Sequence, residues 1–254
     1  MQGGIVMIQK FKLTVKQQNG NPVPSFWSYR MYSAILEQFP PVFVDLLHEQ
    51  GYTGISQYIS FERETGQSIW TISLLQDTAI ESAAPVLMDL DSLDLHGGTI
   101  SIVKKEIYPS FSAKELLEFS ANSPDANLIK LIFPNTTSFK SNGRYAIFPS
   151  EELILHSLMD KWNAVFPECA MQDMDAFRLL LQGIHIREYK LRSSRYRLKQ
   201  TAIPGFNGEL ILGARLAAPM MELWKLLCAF AQYSGIGIKT ALGMGGTQID
   251  YVTI

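Results

Sequence analysis

Cysteine is nearly missing from this chain, with two in 254 residues, Cys169 and Cys228. Neither has a histidine or second cysteine at metal-ligand spacing, so no disulfide framework and no zinc site is in view. Cys228 lies in an apolar helical stretch and reads as a buried free thiol. Long apolar runs are missing too. No stretch approaches the roughly 18 residues that cross a bilayer, and the opening "MQGGIVMIQKFK" has too short an apolar run for a signal peptide. A soluble, cytoplasmic protein with no membrane partner is expected. Charge is scarce: 18% of residues, with a net charge of −2, which argues against indiscriminate binding to nucleic acid. Lysine is absent altogether between Lys16 and Lys104. What is present is 47% hydrophobic residues in a chain long enough for two domains, so a sizeable core is expected and disorder is not.

Residues 10–16 alternate apolar and polar, with Phe11, Leu13 and Val15 on one face, which predicts a half-buried strand. Tyr32, Ile35, Leu36 and Phe39 fall at helical spacing from about Tyr29. Pro40 and Pro41 end that stretch and suit the first turn of a second short helix through His48, which Gly51 closes. Strands over about 55–63 and 67–75, a helix over 77–90 with Asp77 as N-cap, and a strand over 98–107 complete a β-α-β-β-α-β order. A short helix, "SAKELLEFS", and the polar stretch 120–127 mark a boundary between residues 1–120 and 121–254. The order then repeats: a strand near 128–133, a helix from Glu151 to about Phe166, and a hairpin over 184–200 and 207–216 turning at "IPGFNG". A helix from Pro219 and a final strand over 247–253 follow. The fold class expected is α+β, two tandem ferredoxin-like domains with a C-terminal glycine-rich loop.

That loop, "SGIGIKTALGMGG" (234–246), gathers five glycines around Lys239 and Thr240. Glycine permits φ > 0 and close approach of another molecule. A P-loop needs glycine directly before its lysine, but Ile238 stands there. Gly235-x-Gly237 and Gly243-x-Gly245 each lack the third glycine of the dinucleotide fingerprint, and helix precedes strand. Exposed amides with one cation and one hydroxyl would suit phosphate oxygens; a tight structural crossing fits equally well at this point. The charge pattern adds weight to the ligand reading. Arg178, Arg187, Lys190, Arg192, Arg195, Arg197 and Lys199 face only Glu188 between residues 178 and 199. In "SRYRLK" the period of two puts Arg195, Arg197 and Lys199 on one face and Tyr196 and Leu198 on the other. A local positive stripe attracts a polyanion in a salt-dependent way.

Three stretches together resemble the CRISPR precursor-RNA processing endoribonucleases of the RAMP superfamily. "GIGIKTALGMGG" is similar to their C-terminal glycine-rich signature. "LLHEQG" (46–51) resembles the segment bearing the catalytic histidine, and "FPSEELILHSLMDKWNAVFP" (148–167) their mid-chain helix. The resemblance implies His48 as general acid/base and Tyr32 as a second catalytic group. It implies an RNA-contacting loop of Gly235, Gly237, Lys239, Thr240, Gly243 and Gly245. Arg187, Lys190, Arg192, Arg195, Arg197 and Lys199 join them as RNA-binding residues. Many members carry a lysine shortly after the histidine; here Thr53, Gly54, Ile55 and Ser56 stand there, and either Arg30 or Arg63 supplies the positive charge or nothing does.

The activity implied is metal-independent cleavage of CRISPR repeat RNA into guide RNAs. The 2′-OH attacks its neighbouring phosphate to give a 2′,3′-cyclic phosphate and a 5′-OH. Histidine, with an ordinary pKa near 6.5, suits the proton transfers, which contribute about 10²–10⁴-fold. No cofactor or metal is expected; the carboxylates of "MDLDSLDLH" (88–96) have no recognisable ligand loop. DNA, lacking the attacking hydroxyl, is not a substrate. The alternative is a non-catalytic RNA-binding RAMP subunit of a CRISPR effector complex, with other effector subunits as partners. A monomer or homodimer in a prokaryotic cytoplasm is implied. On the residues alone, His48 also suits a helix C-terminus for its dipole, and Tyr32 also suits a core. His96 reads as a turn residue, His156 as structural or surface, and His185 as the start of the basic hairpin.

Overall fold

Alternation along β1 (Met7–Gln17) turns Phe11, Leu13 and Val15 into one core and leaves Lys10, Lys12 and Thr14 on the opposite face. The structure, a computed structural model, describes residues 5–49, 54–124 and 126–252. After β1 come α1 (Ser28–Leu36), α2 (Pro41–His48), β2 (Ile55–Glu62) and β3 (Gln67–Leu74). Then follow α3 (Asp77–Asp89), the short β4 (Ser92–Asp94) and β5 (Thr99–Ile107). The sheet order is β2-β3-β1-β5-β4, with antiparallel pairing throughout.

A two-residue strand β6 (Phe111–Ser112) pairs with β1 and leads into α4 (Ala113–Ala121). A capping box starts α4. The Ser112 amide donates to Glu115 Oε2 at 2.8 Å and the Glu115 amide to Ser112 Oγ at 3.3 Å. The second half runs β7 (Leu128–Thr137), a small hairpin of β8 (Phe139–Ser141) and β9 (Arg144–Ala146), and α5 (Glu151–Val165). It continues with α6 (Met174–Gly183), β10 (Ile184–Leu198), β11 (Thr201–Ala214), α7 (Ala218–Ser234) and β12 (Gln248–Val252). Its sheet order is β10-β11-β7-β12. Setting β4 aside, both sheets place their second, third, first and fourth strands side by side, the ferredoxin-like arrangement of an α+β fold.

Three local expectations are corrected. The hairpin does not turn at "IPGFNG". Leu198 pairs with Thr201, so the turn is Lys199-Gln200, with Lys199 in the left-handed region at φ 54°. The glycines of "IPGFNG" lie inside β11 where backbones crowd: a Cβ on Gly205 would stand 2.2 Å from the Thr137 carbonyl oxygen. Asp77 is the first residue of α3 rather than its cap, and its Oδ1 accepts the Met7 amide at 3.2 Å. Helix α6, an addition to the expected order, starts at Asp173, whose carboxylate accepts the Asp175 and Ala176 amides. Gly51 and Thr53 lie outside the described residues.

Two main clusters fill the interior, one beneath each sheet. They are not independent, because Ile8, Leu75 and Leu116 of the first half pack into the core of the second. Helix α7 is buried from Trp224 to Ala231, a run apolar but for Lys225, and meets β1, β2 and β3 as well as its own sheet. Against it lies Lys10, 8% exposed, with Nζ 4.0 Å from the Tyr233 ring centroid and 5.8 Å from that of Tyr108. Burial and neighbouring Lys12 pull its ammonium down to about 7.

Candidate active site and nucleic-acid interface

Helix α7 stops at Gly235, φ 66°, and the chain doubles back through four more left-handed positions: Gly237, Lys239, Gly243 and Gly245. The loop amides turn inward. Gly235 N–H donates to Ala231 O, Ile236 N–H to Gly245 O, Ile238 N–H to Ser138 O and Gly245 N–H to Thr136 O. Gly237 N–H donates to Ser157 Oγ at 2.8 Å and Gly246 N–H to Asn135 Oδ1 at 2.9 Å. Asn135 Nδ2 completes a two-sided clasp by donating to the Gly243 carbonyl. Lys161 caps α7 by donating to the carbonyls of Ser234 (3.3 Å) and Gly235 (3.0 Å); burial pulls its ammonium down to about 7. The expectation of a loop offering exposed amides is corrected for these six amides. Gly235, Gly237, Gly243 and Gly245 are buried, and of the predicted loop residues only Lys239 is exposed, with Thr240 half-buried.

The glycines allow three bodies to meet. A Cβ on Gly243 would stand 2.3 Å from Ser28 Cβ and 2.6 Å from the Tyr196 hydroxyl, and one on Gly246 2.3 Å from Tyr58 Cγ. From the first half, Gln57 Nε2 donates to Ala241 O at 3.0 Å and Ser28 O at 3.3 Å, while its Oε1 accepts Trp70 Nε1–H at 2.9 Å. From the basic hairpin, Tyr196 OH donates to Leu242 O at 2.6 Å. Tyr196, Ile203 and Met244 form a small cluster with Tyr29, Leu198 and Ile238. The loop thus joins the first half, the second sheet and the hairpin.

The hairpin's charges do not form one stripe. Register is continuous from Glu188 to Leu198, so side chains alternate. Leu191 packs on the main core of the second half and Tyr196 on the opposite face. Arg195 and Arg197 share the face of Leu191; Lys190 and Arg192 share that of Tyr196, with Glu188 and the cross-strand Glu209. Lys199 sits in the turn, and Arg187 occupies the irregularity between Ile186 and Glu188, its side chain over Gly213.

His48 is the exposed last residue of α2, and its imidazole makes no hydrogen bond or ion pair with any other described residue. Tyr32 lies in the first core, 7% exposed, and burial pushes its phenol up to about 12. It is protonated at neutral pH, and its phenol sits among the core side chains rather than at the surface. Arg30 stacks over Trp27, 4.5 Å from the ring, and donates to Leu95 O at 2.9 Å; Arg63 lies in the turn after β2. His96 takes φ 50° in a turn, and His156 packs on Phe177 at 4.4 Å. His185 is exposed at the start of β10.

The family profile of CRISPR-associated endoribonuclease Cas6 matches residues 131–247. Over 222 residues the chain is 31% identical to the CRISPR-associated endoribonuclease Cas6 of Streptococcus thermophilus, covering 87% of this chain and 90% of that protein. The chain belongs to the Cas6 family. Similarity extends to Cas6 of Mycobacterium tuberculosis (strain ATCC 25618 / H37Rv), 23% identical over 87% of this chain and 70% of that protein. In fold it resembles a Cas6 product complex (TM-score 0.78, 22% identity, 96% of this chain and 99% of that one). It likewise resembles Thermus thermophilus Cas6 (TM-score 0.71, 22% identity, 98% and 100%).

In this Cas6 chain the residues that sequence reasoning missed are those gripping the loop: Gln57, Asn135, Ser157 and Lys161. Their signal was faint but present. Asn135 opens a polar run, Asn-Thr-Thr-Ser, between Phe133 and Phe139, and Lys161 stands in the Lys-Trp-Asn end of the matched helix. Among the described residues no three His, Cys, Asp or Glu side chains gather as a metal site, and no helix is long and apolar enough to cross a membrane.

Proposed function

We propose that this Cas6-family protein is a metal-independent endoribonuclease that binds CRISPR repeat RNA and cuts the precursor transcript, with His48 as its general acid/base. The observation that carries the reading is an exposed histidine, its imidazole free of partners among the described residues, on the segment similar to the family's catalytic one. The relative from Streptococcus thermophilus bears the name of a CRISPR-associated endoribonuclease. In the reaction the 2′-hydroxyl gives up its proton and attacks the adjacent phosphorus. The bond to the 5′-oxygen breaks, and that oxygen takes a proton and leaves, giving a 2′,3′-cyclic phosphate and a 5′-OH. Lys239, Thr240 and the hairpin cations Arg187, Lys190, Arg192, Arg195, Arg197 and Lys199 contact the RNA backbone. Gly235, Gly237, Gly243 and Gly245 serve that surface by holding the loop's shape. The chain divides into two ferredoxin-like domains, 1–120 and 121–254, with the RNA across the side where loop and hairpin meet the first domain. The protein acts in a prokaryotic cytoplasm.

One observation favours a second reading, a non-catalytic RNA-binding subunit of an effector complex: no lysine follows His48 until Lys104, and Arg30 is already engaged. The test is incubation of repeat-containing RNA in excess EDTA, with single 2′-deoxy substitutions walked along the repeat. Cleavage that persists in EDTA and stops at one 2′-deoxy position supports the enzyme. Cleavage that EDTA abolishes overturns metal independence, and tight binding without cleavage supports the second reading.

A further inference from the structure

The helical side of the first half is acidic and carries an apolar groove. Residues 17–103 hold ten Asp and Glu against two cations, Arg30 and Arg63, in a chain of net charge −2. Arg30 is committed to Leu95 O and the Trp27 ring, and Arg63 lies in the turn after β2. Between α2 and α3 runs a groove of about 330 Å³. Its apolar lining is Pro40, Val42, Phe43 and Leu46, with Thr78 and Ser82 of α3 as the other wall. Phe43 is buried in the first core and Leu46 packs on it, but Val42 does neither and is 83% exposed. Pro40, Pro41 and Val42 make three consecutive exposed apolar residues, a pattern that soluble surfaces avoid outside binding sites. The prolines are accounted for by starting α2; Val42 is not. Asp45 and Glu49 also line the groove, and Glu81 shares a face of α3 with Thr78 and Ser82. All three carboxylates are exposed, and the ion pairs of this half engage others, at Glu37, Asp91, Glu106 and Glu118.

We infer that this groove docks a cationic amphipathic helix of a partner protein, whose apolar side chains cover Val42 and whose Lys or Arg residues meet Asp45, Glu49 and Glu81. A strip between two helices is the kind of surface on which a third lays its apolar face. Charge complementarity commits the occupant. Carboxylates without a cation around an apolar strip attract a basic segment, steer its approach and repel RNA. The site stands apart from the RNA surface proposed above and holds whether or not the protein cuts RNA.

The test is fluorescence anisotropy of the full chain with a fluorescein-labelled eighteen-residue peptide of Leu and Lys at helical spacing, and with its counterpart carrying Glu for Lys. The Leu/Lys peptide should bind and the Leu/Glu peptide should not. Because Val42 is exposed, Val42→Ser should melt with wild type and cut RNA as wild type does. Its affinity for the peptide should fall about 5- to 30-fold. Asp45→Lys should weaken binding about 3- to 10-fold, whereas Glu64→Lys in the β2–β3 turn makes the same charge change and should stay within about 2-fold. Wild-type affinity in Val42→Ser, or an equal loss in Glu64→Lys, reveals attraction to overall charge and overturns the groove. No binding of the Leu/Lys peptide, or equal binding of the Leu/Glu one, overturns the inference outright. A dimer of the protein alone that Val42→Ser breaks in sedimentation gives the groove to a second copy and overturns the partner. Wild type that binds the peptide but cuts no RNA counts against the proposed function and leaves this site standing.

Discussion

Gly246→Ala places a methyl group against the aromatic ring that joins the two halves. The added Cβ would stand 2.3, 2.5 and 2.6 Å from Tyr58 Cγ, Cδ1 and Cδ2, all far inside contact distance. Cγ is the ring atom nearest the backbone and cannot swing aside without moving χ1. Tyr58 is buried between β3 and the loop, so the ring has nowhere to go. Overpacking of a filled site costs about 1–3 kcal/mol, and three such contacts at the base of a side chain put this one near the top, at about 3 kcal/mol. For a chain of this size 1 kcal/mol is about 2–4 °C in Tm, so the variant should melt about 6–12 °C below wild type. Circular dichroism melts of the RNA-free protein read this directly. Gly98→Ala is the control, since a Cβ there meets nothing within 4 Å and φ lies outside the left-handed region; it should stay within about 2 °C. A Gly246→Ala protein that melts with wild type would refute the view that the glycine signature is a packed joint.

Asn135→Ala removes both sides of the clasp, leaving the buried Gly243 carbonyl and Gly246 amide without it. An unfolding free energy lower by about 2–4 kcal/mol is expected, checked by urea titration at unchanged m. Lys10 titrates near 7 when folded against 10.5 for an ordinary lysine. The unfolded chain therefore holds the extra proton across that window, and the burial penalty, present in full below pH 7, is lifted as pH rises towards 10.5. Lys10→Met should be more stable than wild type at pH 6, with the gap narrowing by pH 10; denaturation curves showing a pH-independent gap would contradict this. Tyr196→Phe deletes the 2.6 Å bond to Leu242 O and should lower Tm by about 2–4 °C, one ordinary hydrogen bond, in the same melts.

Strand and helix order were legible because periodicity survives in these segments: Phe11, Leu13 and Val15 fall into one core as their spacing predicts. The hairpin turn was misplaced because Pro204, Gly205 and Gly208 are usual turn residues, whereas here they answer to close backbone approach inside β11. The true turn uses Lys199 and Gln200, which carry no turn signature. The glycine loop was found by composition, but its orientation was not readable. Whether an amide faces outward depends on Ser157, Asn135 and Ser138, and these lie about 80 to 110 residues earlier in the chain. The basic run was correct as composition and wrong as a single stripe, because Leu191 and Tyr196 commit opposite faces of the strand to different neighbours.

The most direct measurement is single-turnover cleavage of repeat-containing RNA in EDTA by wild type and by His48→Ala, with RNA affinity measured on the same preparations. His48 is exposed and its imidazole is bonded to no described residue, so the variant should fold and bind RNA as wild type does. Cleavage slowed at least about 100-fold at unchanged affinity is the result predicted for a lost general acid/base. Cleavage at the wild-type rate would contradict the assignment of His48 and move the proton transfers elsewhere.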